Sequence, residues 1–193
     1  MHRPLLLTMI ATILWMTDPI PDLRAETAED KAAVCAGCHG PQGHSAVPDN
    51  PILAAQHEQY LGSALQAYIS GERDYGIMKT MAERLGKEGI AELANYYAGQ
   101  PPHNSGATAR GDAERGAGKI VVCVACHGGD GQGTSPLFPR LAGQHAAYLG
   151  KALRDYRSGA RRNNLMVQQL TEQLSDQDID DIAAYYAAQP AQR

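Results

Sequence analysis

Several things are scarce in this 193-residue chain, and each scarcity narrows the reading. It has one Phe, Phe138, and one Trp, Trp15, and aromatic residues make up only 6% of it. Large rings supply much of the apolar bulk of ordinary cores, so side chains alone leave this interior thin. Strand signals are missing, which argues against a β-rich fold. The apolar run from Leu5 to Met16 is too short to cross a bilayer, which takes about 20 residues. Positive charge is not in excess: the formal net charge is −4, so there is no reason to expect nucleic-acid binding. Cysteine is limited to four residues, and all four fall in two copies of one five-residue pattern.

The apolar run follows Arg3 and ends at Asp18. A basic start, a short apolar stretch and then polar residues predict a secretory signal peptide over residues 1–25, cleaved after Ala25. Left uncleaved, the same segment would hold the chain loosely at a membrane. Either way the rest of the chain faces an oxidising exterior, and the expected location is the periplasm.

In such a compartment four cysteines would ordinarily form two disulfides. Here Cys35 and Cys38 are separated by two residues and followed directly by His39; Cys123, Cys126 and His127 repeat the arrangement. This is the attachment signature of c-type haem: the two thiols add across the vinyl groups and the adjacent His reaches the iron. A structural zinc ion wants four ligands close together, and each cluster offers three. A plain disulfide leaves both histidines unexplained. Two covalently bound haem c groups are therefore expected, and their bulk fills the core that the side chains leave thin.

The two motifs belong to a longer internal repeat. Adding 88 carries Cys35 to Cys123, His39 to His127, and the stretch from Pro51 onto the one from Pro139, as far as Met78 onto Met166. From Ile90 onward the match to Ile179 has an offset of 89, so one residue is inserted in the second copy, placed here after Met166. The predicted organisation is a first domain over residues 26–101, a Pro-, Gly- and Ser-containing linker over 102–110, and a second domain over 111–193. Charge differs between the halves: five basic and ten acidic residues from Glu26 to Asn104, ten and nine from Ser105 to Arg193. Arg154, Arg157, Arg161 and Arg162 form a basic run, readable as a docking face or as a solvated helix surface.

Wherever a period is visible it is helical. Tyr60, Leu61, Ala64, Leu65 and Tyr68 recur at three- and four-residue steps with Gly71 as a stop, and Tyr148 to Tyr156 repeat them. A closing helix is expected from Ser175, capped with Asp178, and its counterpart buries Ile90, Leu93, Ala94 and Tyr97.

His39 and His127 are the expected proximal iron ligands. For the opposite position Met166 is the only Met after the second motif; in the first copy Met78 keeps the 88-residue offset, whereas Met81 falls on Gln169 and is read as packing. His57 and His145 also keep the offset and would make bis-His sites, but their place near the start of a helix suggests a helix-end or surface role. Pro51 and Pro139 each lie twelve residues after the haem His, where a backbone carbonyl could hold the other ring nitrogen.

These features together, with "FPRLAGQHAAYLGKALRDYRSGAR" and "LSDQDIDDIAAYY" in the second copy, resemble tandem class I cytochromes c, and in particular the dihaem cytochrome c4 family. The resemblance covers essentially all of the chain after the signal. It implies an all-α protein of two class I cytochrome c domains, each wrapped around one low-spin His/Met haem, with the haems approaching at the interface. It implies an electron-transfer protein rather than an enzyme, taking electrons from a redox protein such as a quinol-oxidising complex and passing them to an acceptor such as a terminal oxidase. Alternatives are the electron-accepting subunit of a dehydrogenase, for example a flavocytochrome c sulfide dehydrogenase, and a dihaem peroxidase with one vacant iron. The first copy departs from the family: "NPILAAQ" stands for "FPRLAGQ", and its last helix starts at "GKEG" without the Ser cap.

Overall fold

The computed structural model describes residues 27–106 and 108–192; the expected signal peptide lies outside them. They form helices α1 (Ala28–His39), α2 (Glu58–Ile69), α3 (Gly76–Ala98), α4 (Ala113–Ala117), α5 (Val124–His127), α6 (Ala146–Ser158), α7 (Leu165–Glu172) and α8 (Asp176–Ala188), with a 3-10 turn at Pro41–Gly43. Among the described residues there is no strand, only an isolated antiparallel bridge between Arg73 and Arg161, and no helix is long and apolar enough to cross a membrane.

The caps explain where the helices start. Thr27 and Asp30 form a capping box at α1, and Ser175 and Asp178 form the expected one at α8. The corresponding point in the first half has no such cap. There α3 is interrupted at Gly86, whose φ of 68° and ψ of 178° belong to a region that glycine alone populates readily. The "GKEG" stretch thus joins a short helix carrying Met78 to the closing helix, the work done in the second half by the break between α7 and α8.

Each half packs its own core. Leu61, Leu85, Ile90, Leu93, Ala94 and Tyr97 pack together in the first, and Ile120, Ala146, Leu149, Ile182, Ala183 and Tyr186 in the second. Ion pairs keep the repeat too: Lys31, 1% exposed, pairs with Glu92, and Lys119 pairs with Asp178 and Asp181. Asp181, fully buried, also receives Arg115 Nε and Nη2 at 3.0 and 2.9 Å and the Asp112 amide at 2.9 Å, which fastens α4 to α8.

The halves meet through an approximate twofold exchange of hydrogen bonds. Gln56 donates Nε2 to the Arg140 carbonyl at 3.0 Å and accepts the Arg140 amide at 2.8 Å; Gln144 does the same with Ile52, both at 2.9 Å. The Asp74 amide donates to the Ala160 carbonyl and the Arg162 amide to the Glu72 carbonyl. The expected linker is tied to the second half, the Ser105 amide donating to Gly143 at 2.8 Å and Asn104 Oδ1 accepting the Ala191 amide at 2.8 Å.

That interface corrects the placement of the insertion. The pairing of 72–74 with 160–162 keeps the offset of 88, but Tyr75 and Asn164, which start α3 and α7 with the same φ and ψ (−153°, 100°), are 89 apart. The extra residue therefore precedes Met166 rather than following it, and it is Asn163. Its Oδ1 accepts Arg161 Nε at 3.2 Å and the Tyr156 hydroxyl at 3.3 Å.

Candidate haem sites

The haem motifs sit on short helical turns. Cys35 and Cys38 occupy the last turn of α1, which ends at His39; Cys123 precedes α5, which ends at His127. Helical winding brings the two thiols, three residues apart, onto neighbouring positions of one turn. None of the four cysteines is in a disulfide. Cys35 and Cys123 are half-buried against the cores, and burial raises both thiol pKa values, so the thiols are held neutral.

The expected histidine geometry is present in both halves. His39 Nδ1 donates to the Pro51 carbonyl at 3.0 Å, and His127 Nδ1 to the Pro139 carbonyl at 3.1 Å. A carbonyl only accepts, so the proton is on Nδ1 and the lone pair on Nε2, which is the tautomer an iron ligand needs. Burial lowers both pKa values against the opposing pull of those carbonyls, favouring neutral imidazole. The loop that returns to each proline turns at Gly43 or Gly131, at φ of 79° and 73°. A Cβ at either would lie 2.9 Å from a backbone amide (Ala54 or Ala142) and 2.9 Å from the Tyr97 or Tyr186 ring, so only glycine lets the loop lie this close.

The departures in the first copy have local consequences. Asn50 holds the Cys38 carbonyl through Nδ2 at 2.9 Å; the equivalent Phe138 instead packs edge-on to the His127 ring at 6.3 Å, while Thr134 Oγ1 holds the Cys126 carbonyl at 2.9 Å.

Methionines stand at the start of the helices that follow. Met78, half-buried, is the third residue of α3; Met166, 63% exposed, is the second of α7. Counted from the helix starts, Ile77 rather than Met78 corresponds to Met166, and Val167 to Met78. Neither Ile nor Val has a donor atom, so each half offers one methionine in this first turn. Met81 lies one turn on and packs against the first core, as expected.

His57 and His145 do not form bis-His sites. Both sit at helix starts, but across the interface rather than on the surface: His57 Nε2 donates to the Gln132 carbonyl at 3.0 Å and His145 Nε2, in a side chain 1% exposed, to the Ser45 carbonyl at 2.9 Å. The basic run is no free docking face either. Arg154 binds Asp180 and Asp176, Arg157 binds Asp176 and the Leu174 carbonyl, Arg162 binds the Gly71 and Gly159 carbonyls, and Arg161 is buried. Gln56 and Gln144 went unremarked in the sequence, although the repeated Gln-His pair at the 88-residue offset was a usable signal.

A pair of thiols on one turn, an adjacent imidazole with a free Nε2 lone pair, and a methionine on the following helix form a donor set that fits covalent haem. Among the described residues no cluster of three or more His, Cys, Asp or Glu could hold a bare metal ion. Fold and donor set define the class: an all-α c-type cytochrome with two haem modules and two covalent haem c groups.

Known proteins narrow the class. The cytochrome c family profile matches residues 28–98 and 113–188. Cytochrome c4 of Azotobacter vinelandii is 36% identical over 182 residues, covering 83% of this chain and 87% of that protein. The thiosulfate dehydrogenase electron acceptor of Thiomonas intermedia is 31% identical, covering 98% and 92%. The crystal structure of reduced recombinant cytochrome c4 from Pseudomonas stutzeri superposes with a TM-score of 0.73 at 31% identity, covering 84% of this chain and 96% of that one. The chain belongs to the cytochrome c4 family of dihaem electron-transfer cytochromes.

Proposed function

We propose that this protein carries single electrons in the periplasm between respiratory partners, taking them from a donor such as a quinol-oxidising complex and passing them to an acceptor such as a terminal oxidase. In this reading the haems would supply the one-electron chemistry; the thiols of Cys35, Cys38, Cys123 and Cys126 would attach them, His39 with Met78 and His127 with Met166 would hold the irons, and the carbonyls of Pro51 and Pro139 hold the imidazoles. The modules are those of residues 26–101 and 111–193, joined by 102–110, behind a signal peptide of 1–25.

The observation that carries this reading is the pair of matched histidine contacts, 3.0 and 3.1 Å, each on the nitrogen that leaves Nε2 for iron. Methionine together with histidine as iron ligands would favour reduced iron and leave no place for small molecules to react, as suits a carrier. An optical and EPR titration against potential, with haem counted per chain, tests it. Two haems, both low-spin with the charge-transfer band of methionine-bound ferric haem, are expected; a high-spin or ligand-binding haem would overturn the axial assignment and return catalysis to consideration.

A second reading makes the chain the electron-accepting subunit of a dehydrogenase. The similarity to a thiosulfate dehydrogenase electron acceptor over 98% of this chain favours it. Stable co-purification with a dehydrogenase subunit in a fixed ratio would select it over a freely diffusing carrier.

A further inference from the structure

His44 and His103 stack face to face where the linker leaves the first module, with ring centroids 4.4 Å apart and planes 10° from parallel. His44 Nε2 also donates to the Pro101 carbonyl at 3.1 Å, since a carbonyl only accepts. The second module makes the same closure with residues that do not titrate. Gln132, the counterpart of His44 at the offset of 88, donates Nε2 to the Pro190 carbonyl at 2.8 Å. Gln192, the counterpart of His103 at the offset of 89, donates its amide to Gln132 Oε1 at 3.3 Å. A pair of glutamines in one copy of the repeat is thus a pair of imidazoles in the other.

The imidazole pair stands where both modules and the linker meet. Ser45, the residue after His44, accepts His145 Nε2 from the second module at 2.9 Å through its carbonyl, and His145 Nδ1 is buried without a partner. Beyond His103 the linker rests on the second module through Asn104 and Ser105. His103 also lines a small interface cavity with Ile52, Gln56, Gln132, Arg140 and Gln144; the cation there is Arg140, and among the described residues no Asp or Glu lines it. The other titratable group on this side is His57, which donates to the Gln132 carbonyl. Burial, then His44 and His145, lower the His103 pKa. Burial, with Arg140 as a lesser cause, lowers that of His57 against the pull of the Gln132 carbonyl.

Stacked imidazoles accommodate one proton between them, but a second puts two like charges face to face with no counter-charge. Apart and in water, both rings take up protons near pH 6.5 or about there. We propose that His44 and His103 form a proton-sensitive latch that holds the first module to the linker and the second module near neutral pH and releases it in acid. The closed form binds about one proton fewer than the open form, so closure is complete above about pH 6.5 and weakens as pH falls below it. The latch goes beyond the carrier reading and does not depend on the axial ligand assignment.

The test is amide hydrogen exchange of the haem-loaded protein between about pH 7.5 and about pH 5, corrected for the intrinsic exchange rate. It is read at the Ile52 and Arg140 amides, which donate to the opposite module's Gln144 and Gln56 and so report separation of the modules. In wild type the opening constant is expected to rise about tenfold per pH unit below about pH 6.5. In the double variant His44→Gln with His103→Gln, which copies the glutamine pair of the second module, it should stay flat. Wild-type exchange without that rise would overturn the latch. The same rise in the double variant would assign it to His57 or His145 and equally overturn the proposal. Should the double variant fail to fold, an NMR titration of the wild-type imidazoles decides instead: His103 must titrate below its ordinary value and in step with exchange at the Ile52 amide. A His103 that titrates at its ordinary value, or out of step with Ile52, sinks the latch and leaves the carrier reading intact.

Discussion

Met78 and Met81 lie one helical turn apart with the same chemistry, and their surroundings separate them. Met81 packs against the first core, whereas Met78 stands in the first turn of its helix. Met78→Ala is therefore expected to turn the first haem high-spin and leave the second unchanged, read by EPR. Met81→Ala should leave both spectra intact and cost about 1–2 kcal/mol of stability, at the lower end for a Met truncation because the side chain is only partly buried. A low-spin Met78→Ala protein would overturn the ligand assignment. Asn163, the residue by which the modules differ in length, gives a second test. Its removal as Asn163→Ala leaves Arg161 Nε and the Tyr156 hydroxyl without their acceptor, an expected loss of about 1–3 kcal/mol measured by denaturant unfolding.

At the scale of elements, the closing helices of the two modules are built on different principles. The second begins at a Ser cap and is held to α4 by Asp181; the first follows the methionine helix directly across the break at Gly86. Gly86→Ala forces a side chain into a glycine-only conformation and is expected to cost about 1–3 kcal/mol in the first module alone. In the second module Lys119 and Ser175 hold the Asp178 pKa down to about 2, and Arg115 with the Asp112 amide holds Asp181 lower still. For a carboxylate depressed in the folded state the stabilisation is complete above the unfolded pKa near 4 and is lost as pH falls through the folded value. Acid between pH 4 and 2 should therefore loosen α8 from α4. An acid titration followed by circular dichroism should show this limb in wild type and a flattened one in Asp181→Asn; equal limbs in both would remove Asp181 from the account.

Across the whole molecule, the modules are joined by reciprocal hydrogen bonds more than by a shared apolar core. Gln144→Ala removes the partners of both the amide and the carbonyl of Ile52, buried groups whose loss costs about 1–3 kcal/mol each. The expected result is two separate unfolding transitions by calorimetry where the wild type shows one, with both haems retained. A single unchanged transition would show that the modules are coupled by other contacts. The same interface explains the fate of His57 and His145, which the repeat marked as equivalent and which lie within reach of the opposite module's backbone.

Much of this protein was legible in the chain itself. Covalent haem attachment follows from Cys-x-x-Cys-His, a local pattern that one helical turn satisfies wherever it occurs. The repeat, the amphipathic helices and the proline twelve residues beyond each histidine are likewise short-range or self-comparing signals, and the structure places them as expected. Only the tertiary structure decided which residues face the other module, because the partners of Gln56, Gln144 and Tyr60 lie 84, 92 and 101 residues away. It also decided where the inserted residue falls. A one-residue gap costs nothing in a comparison of letters whether it is placed before or after a matching methionine, but in a helix it turns every following side chain by about 100°, and the packing of α3 and α7 accepts one register.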